Sequence, residues 1–350
     1  MTTRSMQRLH RFARGFFWLG ILVLLWPLLD GAPAAEEERP GDTELPDARP
    51  VPGMQVVSLP YDQASFRLEQ KELTRYHFGP SLLRPFLYPV LGPEGCSLTR
   101  MGQPSDPHGH RHHNSVWISH SDVQGVNFWG DDADADARIV TLRVEQYLDG
   151  GEAGPGASIL VSNAWRDAED RTVMLERRRV TVGPVDEATA TGPWTILIDL
   201  ELSAPGQQPV TLGQTPFGII GVRMAKSIGV REGGGRILNS EGQRNEDEMF
   251  RKPARWVDYS GPITSAALGG IALMDHPGNP DHPAPFHVRD EGWMGACLTF
   301  TGPLTIEPAQ PLRLRYGLWV HAGVPDRETV ENAWSAFSGL PLAPLSKDGN

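Results

Sequence analysis

The sequence carries two cysteines in 350 residues, Cys96 and Cys297. A chain this long does not depend on a disulfide staple, so cysteine pairing is not what secures its fold. In an oxidising compartment the two can still pair, and that stays open. The other reading of Cys297, in the apolar stretch GWMGACLTF, is a small buried hydrophobe. Positive charge is also scarce: 32 Lys and Arg stand against 43 Asp and Glu, a formal net charge of −11. A nucleic-acid partner favours basic patches, so none is expected. An acidic chain also gains nothing from an anionic membrane surface. Standard catalytic signatures are missing too. There is no H-E-x-x-H, no G-x-S-x-G elbow, and the triple glycine at 233–235 lacks the Gly-Lys-Ser/Thr of a phosphate-binding loop. Zinc-protease, serine-hydrolase and P-loop chemistry are therefore disfavoured, and the glycines predict a hairpin turn.

Long apolar runs are confined to the N-terminus. Arg4, Arg8, Arg11 and Arg14 precede an apolar stretch from Phe16 to Leu29, and Ala32-Pro33-Ala34 follows. A basic start, a short apolar centre and an Ala-x-Ala exit predict a secretory signal peptide over residues 1–34. The run falls short of the about 20 residues that span a bilayer, although an uncleaved anchor is the alternative. No cysteine follows it to carry a lipid. The mature chain is expected in the periplasm or secreted, with no membrane span left once the signal is removed. Residues 35–53, rich in Glu, Asp, Pro and Gly, predict a flexible linker.

From residue 54 to 345 the pattern is β. In WTILIDLELS, Trp194, Ile196, Ile198, Leu200 and Leu202 alternate with polar residues, and Leu312, Leu314, Tyr316, Leu318 and Val320 do the same. Val140, Leu142, Val144 and Leu148 form a third alternating set. A period of two marks strands with one face buried. Further strands are expected at 55–59, 65–70, 73–79, 157–163, 172–182, 218–225, 268–274 and 295–301. Gly- and Pro-rich breaks such as DGGEAGPGA and APGQQP separate them. One helix is expected, capped by Asp326, with Val330, Ala333, Trp334 and Phe337 on one side and Gly339 at its end. The fold class is all-β: a single large antiparallel sandwich, preferably of the galactose-mutarotase-like supersandwich variety, with a short C-terminal helix.

Three segments carry chemistry. SDPHGHRHHNSVWISHSDVQGVNFWGD holds His108, His110, His112, His113 and His120, five of the chain's eleven histidines. If residues 110–120 ran extended, His110, His112 and His120 would share one face, with His113 on the other. Those four histidines are the candidate ligands for a divalent metal, copper or zinc. The H-x-H-x-D-H pattern is only half matched, because His112 stands in place of the Asp, and no Glu follows as a cupin would require. No cofactor is fixed by this segment. Neutral histidines serve equally as proton donors and acceptors.

LMDHPGNPDHPAPFHVRDEGW supplies His276, His282, His287, Arg289 and Asp290 on a loop stiffened by four prolines. GGGRILNSEGQRNEDEMFRKPARWVDYSGP supplies Glu241, Asp258 and Tyr259, with RNEDEMFRK expected as a solvated charged loop. DDADAD, residues 131–136, has a calcium-loop composition without the Gly and distal Glu of an EF-hand, so an acidic turn is expected. Trp117, Trp129, Trp256 and Trp293 can either stack on a sugar ring or pack the core.

RPFLYPVLGPEG, HRHHNSVWISHSDVQGVNFW, ILNSEGQ, WVDYSGP and DHPGNPDHPAPFHVRD together resemble the PmoA-like family of exported bacterial proteins, labelled methane oxygenase PmoA. The resemblance runs from about Arg84 to Asp290. It implies a sandwich-like fold and, because similar proteins occur in carbohydrate-degrading bacteria, a glycan-related role. Methane-oxidising subunits are integral membrane proteins with several spans, and this chain offers none beyond its N-terminus, so the oxygenase activity is not carried over. The family pattern Asp-His-Pro-His-His-Arg meets Gly109-His110-Arg111-His112-His113-Asn114 here. Roles tied to that Asp and Arg are not carried over either.

The leading expectation is an exported enzyme acting on a sugar or glycoside. His110, His112, His113 and His120 would face His276, His282 and His287 across one cleft. Glu241 or Asp258 would tune a histidine for acid–base work. Arg289 would bind the substrate and Trp117 or Trp129 would stack on it, with Asn127, Tyr259, His282 and Asp290 as further contacts. The alternatives are a histidine-rich metal protein and a non-catalytic glycan-binding sandwich.

Overall fold

The computed structural model describes residues 51–92, 95–102, 110–131, 137–151, 154–185 and 192–345. The signal peptide, most of the linker, His108 and residues 132–136 of the acidic turn lie outside them.

The alternating segments form two large antiparallel sheets. The first has nine strands among the described residues, in the order β1 (Met54–Leu59), β2 (Gln63–Leu68), β3 (Lys71–His77), β4 (Phe86–Val90), β5 (Val116–Ser119), β11 (Ile219–Arg223), β17 (Trp293–Ala296), β16 (Pro285–Arg289) and β13 (Lys252–Pro253). The second has eight: β12 (Arg236–Asn239), β14 (Trp256–Pro262), β15 (Leu268–Asp275), β19 (Leu312–Ala322), β9 (Trp194–Ser203), β8 (Thr172–Pro184), β7 (Ala157–Arg166) and β6 (Arg138–Leu148). A ribbon of β10 (Val210–Leu212) and β18 (Leu304–Ile306) completes the strands.

Period-two alternation decides which face of each strand is dry. Ile196, Ile198, Leu200 and Leu202 of β9 meet Leu314, Leu318 and Val320 of β19 on the inner face of the eight-stranded sheet. Val116, Ile118, Ile220, Val222 and Met294 line the inner face of the nine-stranded sheet and join the same core. Truncating one such side chain, Ile196→Ala for example, removes about 2–5 kcal/mol. One ionic pair breaks this apolar layer. Glu176 and Arg178 of β8 both point inward, and Glu176 also accepts from Asn163 Nδ2 (3.0 Å) and Trp165 Nε1 (2.7 Å). Buried charge persists only when paired and hydrogen-bonded in this way.

The outer faces differ. On the eight-stranded sheet, the C-terminal helix α3 (Arg327–Ser338) lays Val330 and Phe337 over Leu238, Trp256, Ala272, Met274 and Trp319. Asp326 caps it as expected, accepting from Thr329 N at 2.8 Å, and Gly339 ends it. Gly317 makes room: a Cβ there would come within 2.8 Å of the Phe337 ring. Three local expectations change. The triple glycine forms no hairpin; it ends the short helix α1 (Val230–Gly233), with Gly234 left-handed at φ 74°. RNEDEMFRK holds a short helix, α2 (Asn245–Met249), which buries Met249. Strand β17 closes at Ala296, not near 301.

Candidate active site on the outer face of the nine-stranded sheet

Register places a row of unusual residues on that outer face. Phe86, Trp117 and Gly221 are cross-strand partners, as are Arg223, Trp293 and Arg289, while His287 pairs with Gly295. Partners in an antiparallel ladder share a face, so all of these point away from the core. The glycines are needed here for close approach. A Cβ on Gly221 would lie 2.6 Å from Trp117, and one on Gly295 would lie 3.1 Å from Trp293. The two indoles are laid across the sheet over the gaps that glycine leaves. With Phe86 and Trp129 they form an apolar cluster separate from the main core, flanked by Leu82, Tyr88, Met101 and Phe217.

The histidine loop sits on this cluster. Residues 110–113 turn, with His113 N donating to His110 O at 3.3 Å, and Ser115 takes a left-handed φ of 58° just before β5. The loop is therefore not extended, and the expected split of His110 and His112 from His113 does not hold. The three rings lie 4.6–5.9 Å apart. His113 stacks on Trp117 at 5.4 Å and on Trp293 at 6.1 Å, and His112 meets the edge of Trp129 at 6.3 Å.

Arg84 pins the arrangement from below. It is buried and donates to the carbonyls of Phe128, Trp129 and Gly130, to Asn114 Oδ1 (2.7 Å) and to Asp131 Oδ1 (2.9 Å). One guanidinium thus ties the loop before β5 to the loop carrying Trp129. Five donors in a fixed fork make arginine suited to such a junction.

The second proline-rich segment contributes His287. Its Nδ1 faces Pro216 O at 3.2 Å. A carbonyl only accepts, so Nδ1 carries the proton and Nε2 presents a lone pair. The ring is boxed edge-on by Trp293 (4.4 Å) and Phe250 (4.8 Å). Burial, with Arg289 and Arg251 adding to it, lowers its pKa to about 4, against the carbonyl contact at Pro216 and the charge of Glu246. His113 is held neutral more strongly, first by burial, then by His112, Arg223, His110 and Arg100.

Three polar atoms in this cluster are buried without a hydrogen-bond partner: His113 Nδ1, Trp117 Nε1 and Trp293 Nε1. Their residues are 7%, 1% and 4% exposed. Unpaired buried polar atoms cost about 1–3 kcal/mol each, so this ring stack is a costly feature of the fold. Exposed His110 and half-buried His112, Phe217, Phe250 and His287 give the cluster its accessible surface.

The remaining predicted residues go elsewhere, for physical reasons. His120 is a brace. Asp122 N donates to its Nδ1 (3.1 Å), its Nε2 donates to Thr299 Oγ1 (2.9 Å), and burial takes its pKa to about 4. With both nitrogens used, it cannot join a metal set with His110, His112 and His113. No three His, Cys, Asp or Glu side chains among the described residues are placed to hold a metal. His276 is likewise spent, accepting from Gly278 N and donating to Leu340 O. His282 binds buried Asp275 at 2.8 Å and stacks on Trp334 of α3. Those two histidines belong to the helix-covered side, so the single cleft with His276 and His282 is not formed.

Asp258 lies on β14 and pairs with His321 at 2.9 Å, supported by Ser260 and Arg236. Glu241 is exposed on the turn after β12, accepting from Ser240. Neither carboxylate reaches the histidine loop. Tyr259 is a buried strut, donating to Asp290 O (2.8 Å) and accepting from Val230 N. Asp290 in turn accepts from Glu246 N. Asn127 caps its own turn through Trp129 N and Gly130 N. Trp256 packs under α3 and donates to Glu331. Cys96 and Cys297 are both free, and Cys297 is buried. A shallow depression of about 370 Å³ does open on the eight-stranded sheet, beside Trp319, His321 and Pro325. Its histidine is already committed to Asp258, which leaves the nine-stranded face as the better site.

Sequence patterns missed Arg84, Arg223, Phe217, Phe250 and Glu246. Arg84 and Phe217 each sit beside a proline in an apolar stretch, where they read as ordinary strand ends. Glu246 was hidden in a charge run, yet it bonds Arg289 and accepts from Asp290 N at 3.0 Å.

No curated protein matches the chain. Among solved structures, a heparinase III gene product, BT4657, is 12% identical, covers 78% of this chain and gives a TM-score of 0.33. A human-microbiome protein designated a kojibiose phosphorylase is 8% identical over 83% of this chain, with a TM-score of 0.35. The chain spans only 37% of the length of each. A Salmonella typhimurium protein designated a mutarotase is 12% identical, with 77% of this chain and 90% of that one covered and a TM-score of 0.30. The model of a family of unknown function, DUF6807, matches residues 63–335, most of the described sandwich, and the chain belongs to that family.

Proposed function

We propose that the chain is an exported protein that acts on a sugar or glycoside at the outer face of the nine-stranded sheet, by proton transfer through histidine. The observation that carries this is His287. Its Nδ1 is anchored on Pro216 O, it is held neutral, and it presents Nε2 between two aromatic rings. A neutral imidazole with one nitrogen fixed is oriented to accept a proton. Glu246, whose charge reaches His287, takes the tuning role first considered for Glu241 or Asp258. His112, on the far side of the indole cluster against Trp129, is the second proton carrier.

Sugar suits the surface because it combines apolar C–H faces with many hydroxyls. Half-buried Phe217 offers a face for the former, and exposed His110 with half-buried His112 and His287 offer polar groups for the latter. The basic and apolar N-terminal segment supports export, and the PmoA-like motifs support a glycan setting.

The test is a turnover screen of glycosides with the purified protein, followed by His287→Ala on whatever is turned over. General acid–base catalysis predicts a loss of about 10²–10⁴-fold with the unfolding midpoint retained. Wild-type turnover in His287→Ala, or a glycoside panel left untouched by the native protein, defeats the reading.

A further inference from the structure

The His287 end of the site carries a charge signature that a neutral sugar does not require. Arg251 and Arg289 lie over one ring, Phe250, at 4.8 and 4.9 Å, and the edge of that ring meets His287. Arg289 is paired with Glu246. Exposed Arg251 makes no ion pair or side-chain hydrogen bond among the described residues. Glu246 and Asp290 bond each other's backbone and Glu246 holds Arg289, so Arg251 is the guanidinium at this end that has no carboxylate bonded to it among the described residues. Like charges drawn to one ring repel each other, and an anion between them would relieve that. One ring further on, the buried Trp293 Nε1 has no acceptor.

We propose that the ligand is a sugar acid, whose carboxylate is held by Arg251 and Arg289 beside Phe250 while its ring lies against His287 and the Trp293 side of the cluster. This rests on the sugar reading above and narrows it. A guanidinium offers paired donors that match the two oxygens of a carboxylate. A single guanidinium without a bonded carboxylate, Arg251, fits a monoanionic carboxylate better than a phosphate dianion. His287 then stands next to the carbon and hydroxyls nearest the acid group, where a neutral base is useful.

The test compares oligogalacturonates and oligoglucuronates with their methyl esters, which keep the ring and remove the charge, using calorimetry on the purified chain. The acid should bind at least about tenfold tighter than its ester, a gap of roughly 1.4 kcal/mol. High salt should narrow the gap. Arg251→Gln and Arg289→Gln should each bring the acid-to-ester ratio toward one, with Arg251→Gln read first because that residue is exposed and forms no ion pair among the described residues. An ester bound as tightly as the acid, or a sulfated oligosaccharide bound more tightly than either, overturns the sugar-acid inference and leaves the sugar reading standing. Binding of simple dicarboxylates with no binding of any saccharide overturns both.

Discussion

The two outer faces of the sandwich use histidine in opposite ways. On the eight-stranded sheet, His321 is bound to Asp258, His282 to Asp275, and His276 to two backbone groups. Helix α3 packs over this side through Val330, Trp334 and Phe337. On the nine-stranded sheet no carboxylate among the described residues hydrogen-bonds His113 or His287, and both are pushed neutral by burial and neighbouring arginines. A histidine whose nitrogens are spent on the fold stabilises it. A histidine with a lone pair left over, in a dry aromatic setting, can do chemistry. Residue type alone does not tell these apart.

The contrast is sharpest in two substitutions. His287→Ala should remove about 10²–10⁴-fold of turnover. It should shift the denaturant midpoint little, since His287 makes a single hydrogen bond to the fold. Asp258→Ala should do the reverse. It strands the buried His321, and removing one partner of a buried pair costs up to about 3–5 kcal/mol. Urea unfolding would measure that loss, while turnover per folded molecule stays at the native level. If Asp258→Ala abolished turnover in folded protein, the division between the faces would collapse.

Acid should test the neutral burial of these rings. His287 and His120 have folded pKa values of about 4 against 6.5 for free imidazole. Between those values the unfolded chain binds more protons than the folded one, so stability is full above about pH 6.5 and falls as pH drops toward 4. His120→Gln, which keeps a side-chain amide for Thr299, should flatten part of that fall in a series of thermal melts. A stability profile flat from pH 7 to 4 would contradict the neutral burial of both rings. The smallest effect is at the helix. Asp326→Ala should lower the melting midpoint slightly through loss of the cap on Thr329 N, without touching turnover.

Much of the sandwich was legible because alternation is a local property. Trp194 to Leu202 and Leu312 to Val320 each declare their buried face over five consecutive odd or even positions. Helix α3 announced itself through Asp326, its apolar side and Gly339. The histidine segment stood out as a candidate site, but its geometry was not legible. A turn at 110–113 and the left-handed Ser115 change which side chains point together, and no periodicity records that.

The partners were harder still. Asp258 and Glu241 stand out as acidic residues near a motif, yet the first is claimed by a histidine 63 positions away and the second by its own turn. Glu246, whose charge reaches His287, lies inside a short helix that a charge run conceals. Gly221 and Gly295 carry no motif, yet they let Trp117 and Trp293 lie over the sheet.

Ligand is expected to meet the nine-stranded face, and the indole N–H groups report on that directly. The chain has ten tryptophans, which can be resolved with ¹⁵N-indole labelling and assigned by substitution. Trp117 and Trp293, with orphaned Nε1 atoms under the histidines, should shift when a bound saccharide is added, and Trp256, bonded to Glu331 beneath α3, should not. Movement of Trp256 and Trp319 with Trp117 and Trp293 unmoved would place the ligand on the opposite sheet and contradict the claim.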